Sequence, residues 1–270
     1  LIVLVLIDMV AVNKRYLNAD DFVPKESVET PFQLESFDKI IKQDTSIYRV
    51  YNLNERLDQG ARTSYFHHSV AGYHGAKLGK YQEVMDMHIS KGNMNVLNML
   101  NVKYLIVPNE NRELVVQSNS MALGNAWFVD TIDFVNSANK EIESLTDFNP
   151  KNTAIIHEKN KHYLQNFSFE ESTSSINLIK YEPNKLIYNT NIKSTSLAVF
   201  SEIFYPEGWN AYIDGTIVPH FRANYVLRAM MVPKGTTKIE FKFEPSSYST
   251  GESISYASSI FLLLLLGFVS

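Results

Sequence analysis

The sequence contains no cysteine, and this absence excludes two structural devices. Disulfide bonds cannot form, and metal sites built on thiolates are impossible. A surplus of one charge is also lacking, because the formal net charge is −4 and acids and bases are interspersed. Nucleic-acid-binding domains usually carry a basic patch. We therefore expect no nucleic-acid partner.

Motifs of common catalytic centres are missing as well. The chain has no Gly-x-Ser-x-Gly elbow, no His-Glu-x-x-His zinc motif and no Gly-x-x-x-x-Gly-Lys phosphate loop. We expect no bound cofactor, and the residues taken alone indicate no reaction.

Apolar runs stand at both ends of the sequence. Residues 1–7 are all apolar, and residues 260–270 include five consecutive leucines. Because a helix needs about 20 apolar residues to span a bilayer, each run is expected to be part of a longer span. Residues 1–17 are then the end of one transmembrane helix, residues 253–270 are the start of another, and the chain is a piece of a multi-pass protein. The alternatives are a secretion signal for the first run and a buried core helix for the second.

Residues 18–160 are expected to form an α/β domain. Amphipathic helices are predicted at 31–43, 80–90, 94–100 and 137–147, and strands at 46–52, 102–107, 126–135 and 153–157. Asn93 is the expected N-cap of the helix at 94–100. Strands that alternate with short helices favour a small mixed sheet. The glycine- and histidine-rich stretch 60–79 has no clear period and is predicted to be a loop.

Residues 161–250 are expected to form an antiparallel β-sandwich, so the fold class is α+β. Short strands are predicted at 174–181, 185–193, 196–205, 209–213, 217–221, 225–232 and 237–244. Asp214-Gly215 is typical of a two-residue type I′ hairpin turn, and residues 233–235 mark a second turn. The pattern changes from one domain to the other near residues 158–170.

The most unusual segment is residues 62–82, with three histidines, three tyrosines, one arginine and two lysines. One interpretation is a pocket for an anionic or sugar ligand, in which cations bind phosphate, tyrosines stack on a ring and a histidine transfers a proton. The residues expected to bind substrate are Arg62, His68, Tyr73, His74, Lys77 and Tyr81. The alternative is a loop folded back on its domain with buried rings. Metal binding is not favoured, because no helical His-x-x-x-His spacing and no neighbouring carboxylate accompany the histidines.

A second candidate site lies in the sandwich. Tyr205, Trp209 and Tyr212 cluster on adjacent predicted strands, as the aromatic rings of sugar-binding platforms do. Aromatic residues at alternating strand positions also occur as ordinary core, and this alternative stays open.

Several segments together resemble a known family. In order they are residues 8–18 (DMVAVNKRYLN), 48–51 (YRVY), 72–77 (GYHGAK) with 81–82 (YQ), 101–107 (NVKYLIV), 204–215 (FYPEGWNAYIDG) and 224–235 (NYVLRAMMVPKG). Taken together, these segments resemble YfhO-type bacterial membrane proteins of the Bacteroidetes type. The resemblance extends over nearly the whole chain.

The resemblance implies a function that the composition of the chain does not indicate. Such proteins are similar to GT-C glycosyltransferases, which use polyprenyl-phosphate sugars to modify cell-surface polymers. Residues 18–250 are then the extracytoplasmic domain before the last span in the bacterial cytoplasmic membrane, and the partners are a lipid-linked sugar and a glycopolymer. The catalytic acid is expected in an early extracytoplasmic loop outside this chain, so this part contacts substrate and is inactive alone. The alternative is a non-catalytic carbohydrate- or polymer-binding ectodomain.

Overall fold

The computed structural model describes residues 2–164 and 174–269. They belong to two compact units, Leu1–Gln43 and Asp44–Ser270. The helices of the first unit are α1 (Ile2–Tyr16), α2 (Lys25–Glu29) and α3 (Ser36–Ile41). α1 has 15 residues, and none of them is buried in the described part of the chain.

α3 is shorter than the helix predicted for residues 31–43. It begins at Ser36 because the backbone N–H of Glu35 donates to the Asp38 carboxylate (3.0 Å), which closes the first turn there. The prediction of a helix was right, and its start was five residues too early.

The second unit carries the remaining described helices. They are α4 (Arg62–Phe66), α5 (Gly79–Met87), α6 (Met94–Met99), α7 (Ala138–Glu143) and α8 (Ser246–Val269). The predicted cap of α6 is confirmed, since Asn93 Oδ1 accepts hydrogen bonds from the N–H groups of Asn95 (3.0 Å) and Val96 (3.3 Å). The prediction of a continuous loop at 60–79 is wrong, because α4 lies inside it.

The second unit also carries the strands of the described chain. They are β1 (Arg49–Asn52), β2 (Val102–Pro108), β3 (Leu114–Ser118), β4 (Ala126–Val129), β5 (Thr131–Val135), β6 (Thr153–His157), β7 (Ser175–Glu182), β8 (Lys185–Asn191), β9 (Ser196–Ile203), β10 (Trp209–Ile213), β11 (Thr216–Val218), β12 (Phe221–Ala223), β13 (Leu227–Val232) and β14 (Lys238–Phe243). β2 pairs in parallel with β1 and antiparallel with β3, which confirms the small mixed sheet. β5 and β6 form a separate parallel pair.

Two antiparallel sheets form the predicted sandwich. One has the strand order β11-β10-β14-β8-β7, and the other has the order β12-β13-β9-β4. Edge-to-face contacts between Tyr188, Phe200 and Phe241, with ring centroids 4.9–6.3 Å apart, fill the space between the sheets. The fold class α+β, with a mixed sheet followed by a sandwich, is confirmed.

The four-stranded sheet is buried on both faces. On β9, Ala198 and Phe200 belong to the core between the two sheets. Leu197 and Val199 point the other way and belong to the core that the sheet shares with α5, α6 and α7. This double burial explains why β9 and β13 are almost continuously apolar instead of alternating with polar residues.

Two predicted strands are each divided in the structure. Residues 126–135 form β4, which pairs with β9, and β5, which pairs with β6, because the chain turns at Asp130 and its N–H donates to Asn152 O (3.0 Å). Residues 217–221 contribute to β11 and β12, which lie in different sheets. The hairpin turn is confirmed, with φ of 46° at Asp214 and 88° at Gly215. Residues 165–170 of the predicted boundary lie outside the described chain.

α8 leaves the sandwich at one end, which we call the α8 end. Glu244 and Pro245 alone separate α8 from β14. Among the described residues, Ser246–Phe268 is the one stretch of helix long and apolar enough to cross a membrane. The opposite end, which we call the far end, holds the turn Asp214-Gly215 and the turn at residues 233–235.

Candidate functional site

A cavity of about 550 Å³ lies beside the sandwich, in the second unit. One wall belongs to loop 62–82, and the other belongs to β1 and to residues at the α8 end. Five of the six residues predicted to bind substrate line it, namely His68, Tyr73, His74, Lys77 and Tyr81. Arg62 does not line it, and its guanidinium lies 5.2 Å from the centroid of the Phe66 ring.

The loop begins in α4, which a carboxylate holds in place. Glu55 Oε1 accepts from the N–H of Arg62 (2.8 Å), and Glu55 Oε2 accepts from the N–H (3.1 Å) and the hydroxyl of Thr63. An anion at the first N–H groups of a helix satisfies donors that have no partner inside the helix. Glu55 therefore supplies the helix start that the period of the loop did not reveal.

The middle of the loop is tied to β1. The N–H of Val50 donates to His68 O (2.8 Å), and the N–H of Val70 donates to Val50 O (3.1 Å). The Tyr81 hydroxyl donates to Val70 O (2.7 Å), and burial raises the pKa of Tyr81 to about 12. Tyr81 thus stays protonated at neutral pH, and its hydrogen bond connects α5 to the middle of the loop.

Gly72 allows the loop to fold closely on itself. Its φ is +128°, and a Cβ there would lie 2.8 Å from Ser64 Oγ. Beyond it, His74 Nδ1 accepts from the N–H of Ala76 (3.1 Å). This hydrogen bond leaves Nε2 as the ring nitrogen of His74 that is not used within the turn.

Residues outside the sequence candidates also line the cavity, among them Arg49, Tyr181 and Glu202. Arg49 Nη1 donates to Leu100 O (2.8 Å), to Ser201 O (2.8 Å) and to Ser201 Oγ (2.9 Å), so the guanidinium is fixed against the sandwich. The Tyr181 ring meets the His68 ring edge-on at 5.6 Å. The segment YRVY was a signal for Arg49, but strand patterns carry no signal for the other two.

The cavity wall has a mixed charge. Arg49 and Lys77 are cationic, three histidines stand beside them, and Glu202 is the acidic residue that lines the cavity. Arginine and lysine bind phosphate and carboxylate groups, while a carboxylate accepts hydrogen bonds from hydroxyl groups. The wall is suited to a ligand that carries both an anion and hydroxyls.

The histidines are not arranged as metal ligands. Across residues 2–164 and 174–269, no group of three or more His, Cys, Asp or Glu side chains is placed to hold a metal ion. His67, His68 and His74 all line the cavity without converging on one point.

The second predicted site is divided between two faces of the sheet. Trp209 packs against the interior, with the Arg228 guanidinium 4.0 Å from its ring centroid. Tyr212 lies on the outer face, and its hydroxyl donates to Glu244 (2.7 Å). Tyr205 lies in the connection between β9 and β10 and is 39% exposed. The three rings do not form one platform, and a sugar contact by any of them stays a prediction.

Comparisons with known proteins found similarity to one sequence family over part of the chain. No curated protein and no solved structure matches the chain. The model of a family described as "Bacterial membrane protein YfhO" matches residues 142–255, which run from the end of α7 through the sandwich into α8. This match and the apolar helix α8 support a membrane location. The resemblance to the YfhO family of bacterial membrane proteins is therefore confirmed over residues 142–255.

Proposed function

We propose that this chain is the extracytoplasmic part of a glycosyltransferase that uses polyprenyl-phosphate sugars to modify cell-surface polymers. Residues 18–250 stand outside the bacterial cytoplasmic membrane, and the cavity beside loop 62–82 contacts the lipid-linked sugar. The catalytic base belongs to another part of the protein, so this chain alone transfers no sugar.

The observation that carries the proposal is the position of the cavity at the α8 end. Glu202 and Ile203, at the end of β9, line the cavity, and so does Tyr181, near the end of β7. Strand pairing brings the end of β7 level with the end of β14, from which α8 departs, and residues 204–208 connect the end of β9 directly to the start of β10 at that same end. A lipid-linked ligand presents its polar group at the surface of the bilayer that α8 enters. The cavity therefore stands where such a ligand arrives.

The chemistry of the wall supports the same ligand. Lys77 is half-buried and Arg49 is held rigidly, so both present a positive charge without the freedom of an exposed side chain. Tyr73 is 76% exposed beside them and is able to stack on a sugar ring. Phosphate, ring and hydroxyl contacts are thereby available within one cavity.

The proposal is tested with membranes that contain the whole protein and labelled polyprenyl-phosphate sugars. Lys77→Ala removes a cavity cation, and Lys234→Ala removes an exposed lysine at the far end as the matched control. Because a charge-assisted hydrogen bond contributes about 1.5–3 kcal/mol, Lys77→Ala should lower label transfer by about tenfold or more. Lys234→Ala should transfer label as the wild type does.

Two results would contradict the proposal in different ways. If Lys77→Ala transfers label as the wild type does, the cavity does not contact the substrate. No transfer by the wild type with any donor, together with binding of isolated glycan, would favour the non-catalytic ectodomain instead.

A further inference from the structure

The α8 end contains an irregularity in β9 that shapes the cavity. β13 pairs with β9 through Leu227↔Ile203 and then through Arg228↔Phe200, so Ser201 and Glu202 have no partner residues on β13. This is a β-bulge, a feature that redirects side chains and is common next to active sites. In this bulge, Ser201 accepts a hydrogen bond from Arg49, and Glu202 lies on the cavity wall.

Glu202 is a half-buried carboxylate whose hydrogen-bonding capacity is unused. Within residues 2–164 and 174–269, no group donates a hydrogen bond to it and no cation lies within ion-pair distance. Its oxygens are open to solvent from the cavity, and water there takes the place of a protein donor. A carboxylate that faces a cavity without one is available to a ligand.

Two ionisable side chains near Glu202, Arg228 and Tyr181, respond to its charge. Arg228 is 3% exposed, its Nε donates to Ile203 O (3.3 Å), and its Nη1 has no partner among the described residues. Burial lowers the pKa of Arg228, and the charge of Glu202 opposes that shift. Burial raises the pKa of Tyr181, and Glu202 raises it further. The carboxylate therefore lies between a buried cation behind it and the cavity in front.

The charges around the cavity select among ligands for Glu202. A cationic ligand is disfavoured, because Arg49 and Lys77 line the same cavity. A purely anionic ligand suits these cations but leaves Glu202 unused. Neighbouring hydroxyls of a sugar donate hydrogen bonds to the two oxygens of a carboxylate, which accepts and never donates when ionised.

The geometry points to Glu202 as the residue that recognises the sugar hydroxyls of a glycosyl phosphate, while Lys77 and Arg49 bind its phosphate. This inference rests on the proposed function and adds the residue that distinguishes a sugar-bearing lipid from the bare lipid phosphate. Glu202 acts in specificity, and the proposal gives it no role in bond breaking.

The test compares two probes on the full chain in lipid vesicles: polyprenyl phosphate, and polyprenyl-phosphate glucose or mannose. The wild type should bind at least one sugar-bearing probe about tenfold more tightly than the bare phosphate. Glu202→Gln should abolish this preference and leave the affinity for polyprenyl phosphate equal or higher. Glu207→Gln changes an exposed carboxylate outside the cavity and should keep the preference.

The outcomes separate the two claims. Wild-type protein that binds all probes equally, or Glu202→Gln that keeps the sugar preference, would overturn the role of Glu202 while the cavity still binds lipid phosphate. Wild-type protein that binds none of the probes would overturn the proposed function itself. A wild type without sugar preference overturns the role of Glu202 even if the variant does not fold.

Discussion

Two carboxylates at opposite ends of the sandwich differ in their hydrogen bonds. At the far end, the Asp214 carboxylate accepts hydrogen bonds from the N–H (3.3 Å) and hydroxyl (2.7 Å) of Thr237 and from the N–H of Lys238 (2.9 Å). At the α8 end, Glu202 has no such donor and Arg228 Nη1 has no acceptor within the described chain. The Asp214 carboxylate is thus saturated by its neighbours, and the Glu202 carboxylate is left without a protein donor.

The number of protein donors to a carboxylate distinguishes a structural residue from one available to a ligand. A carboxylate saturated by neighbours in sequence and sheet stabilises a turn. A carboxylate on a cavity wall that has no donor within the described protein keeps its oxygens available to a ligand. Substitutions at the two ends should accordingly differ in what they change.

The largest expected effect is that of Gly208→Ala, at the α8 end. Gly208 has a φ of +79°, and a Cβ there would lie 2.8 Å from Phe243 and 3.0 Å from Pro245, next to the start of α8. Backbone strain of about 1 kcal/mol and a clash of about 2 kcal/mol should lower the free energy of unfolding by about 3 kcal/mol. Thermal unfolding of the variant and the wild type, each as the full chain in detergent, measures this loss of stability.

Gly215→Ala is the matched change at the far end. Gly215 has a φ of +88°, but nothing lies within 4 Å of the added Cβ, so backbone strain alone should cost about 1 kcal/mol. Equal losses in the two variants would show that the junction between β10 and α8 is looser than the structure has it.

A smaller effect is expected from Asp214→Asn, which keeps a residue that tolerates the positive φ of 46°. Hydrogen bonds from the Thr237 side chain and from backbone N–H groups lower the pKa of Asp214. A lowered folded-state pKa stabilises the protein above the unfolded value of about 3.9, and this contribution is lost as the pH falls through the folded value. Because water screens this exposed carboxylate, the variant should lose about 1 kcal/mol at pH 7.

The measurement for Asp214→Asn is thermal unfolding of variant and wild type at pH 7 and near pH 2. The two should differ at pH 7 and converge in acid. A difference that persists in acid would mean that packing of the side chain, and not its charge, stabilises the turn.

Local chemistry made much of the sandwich predictable from sequence. The strand at residues 209–213 and the turn at Asp214-Gly215 were predicted as observed, because alternation and positive φ leave local signatures. The division of residues 126–135 into β4 and β5 was not predictable. Nothing in its strand-like pattern indicates that β4 pairs with β9, which begins 67 residues after Val129.

The candidate site was predictable in its loop and not in its opposite wall. Five of the six loop candidates line the cavity, because chemistry-bearing residues close in sequence stay close in space. Tyr181 and Glu202 arrive from the sandwich through strand pairing and a bulge, which are long-range properties. Arg62 does not line the cavity because the start of α4 directs it to Phe66, and that start depends on Glu55.

The most direct test of the account asks which end of the sandwich faces the bilayer. Because the chain has no cysteine, Glu207→Cys at the α8 end and Thr216→Cys at the far end each accept a single fluorescent label. The full chain is reconstituted in vesicles whose lipids carry a nitroxide at the headgroup, and quenching of each label is measured. The account predicts strong quenching at residue 207 and little at residue 216. Equal quenching, or stronger quenching at residue 216, would contradict a cavity placed at the membrane surface.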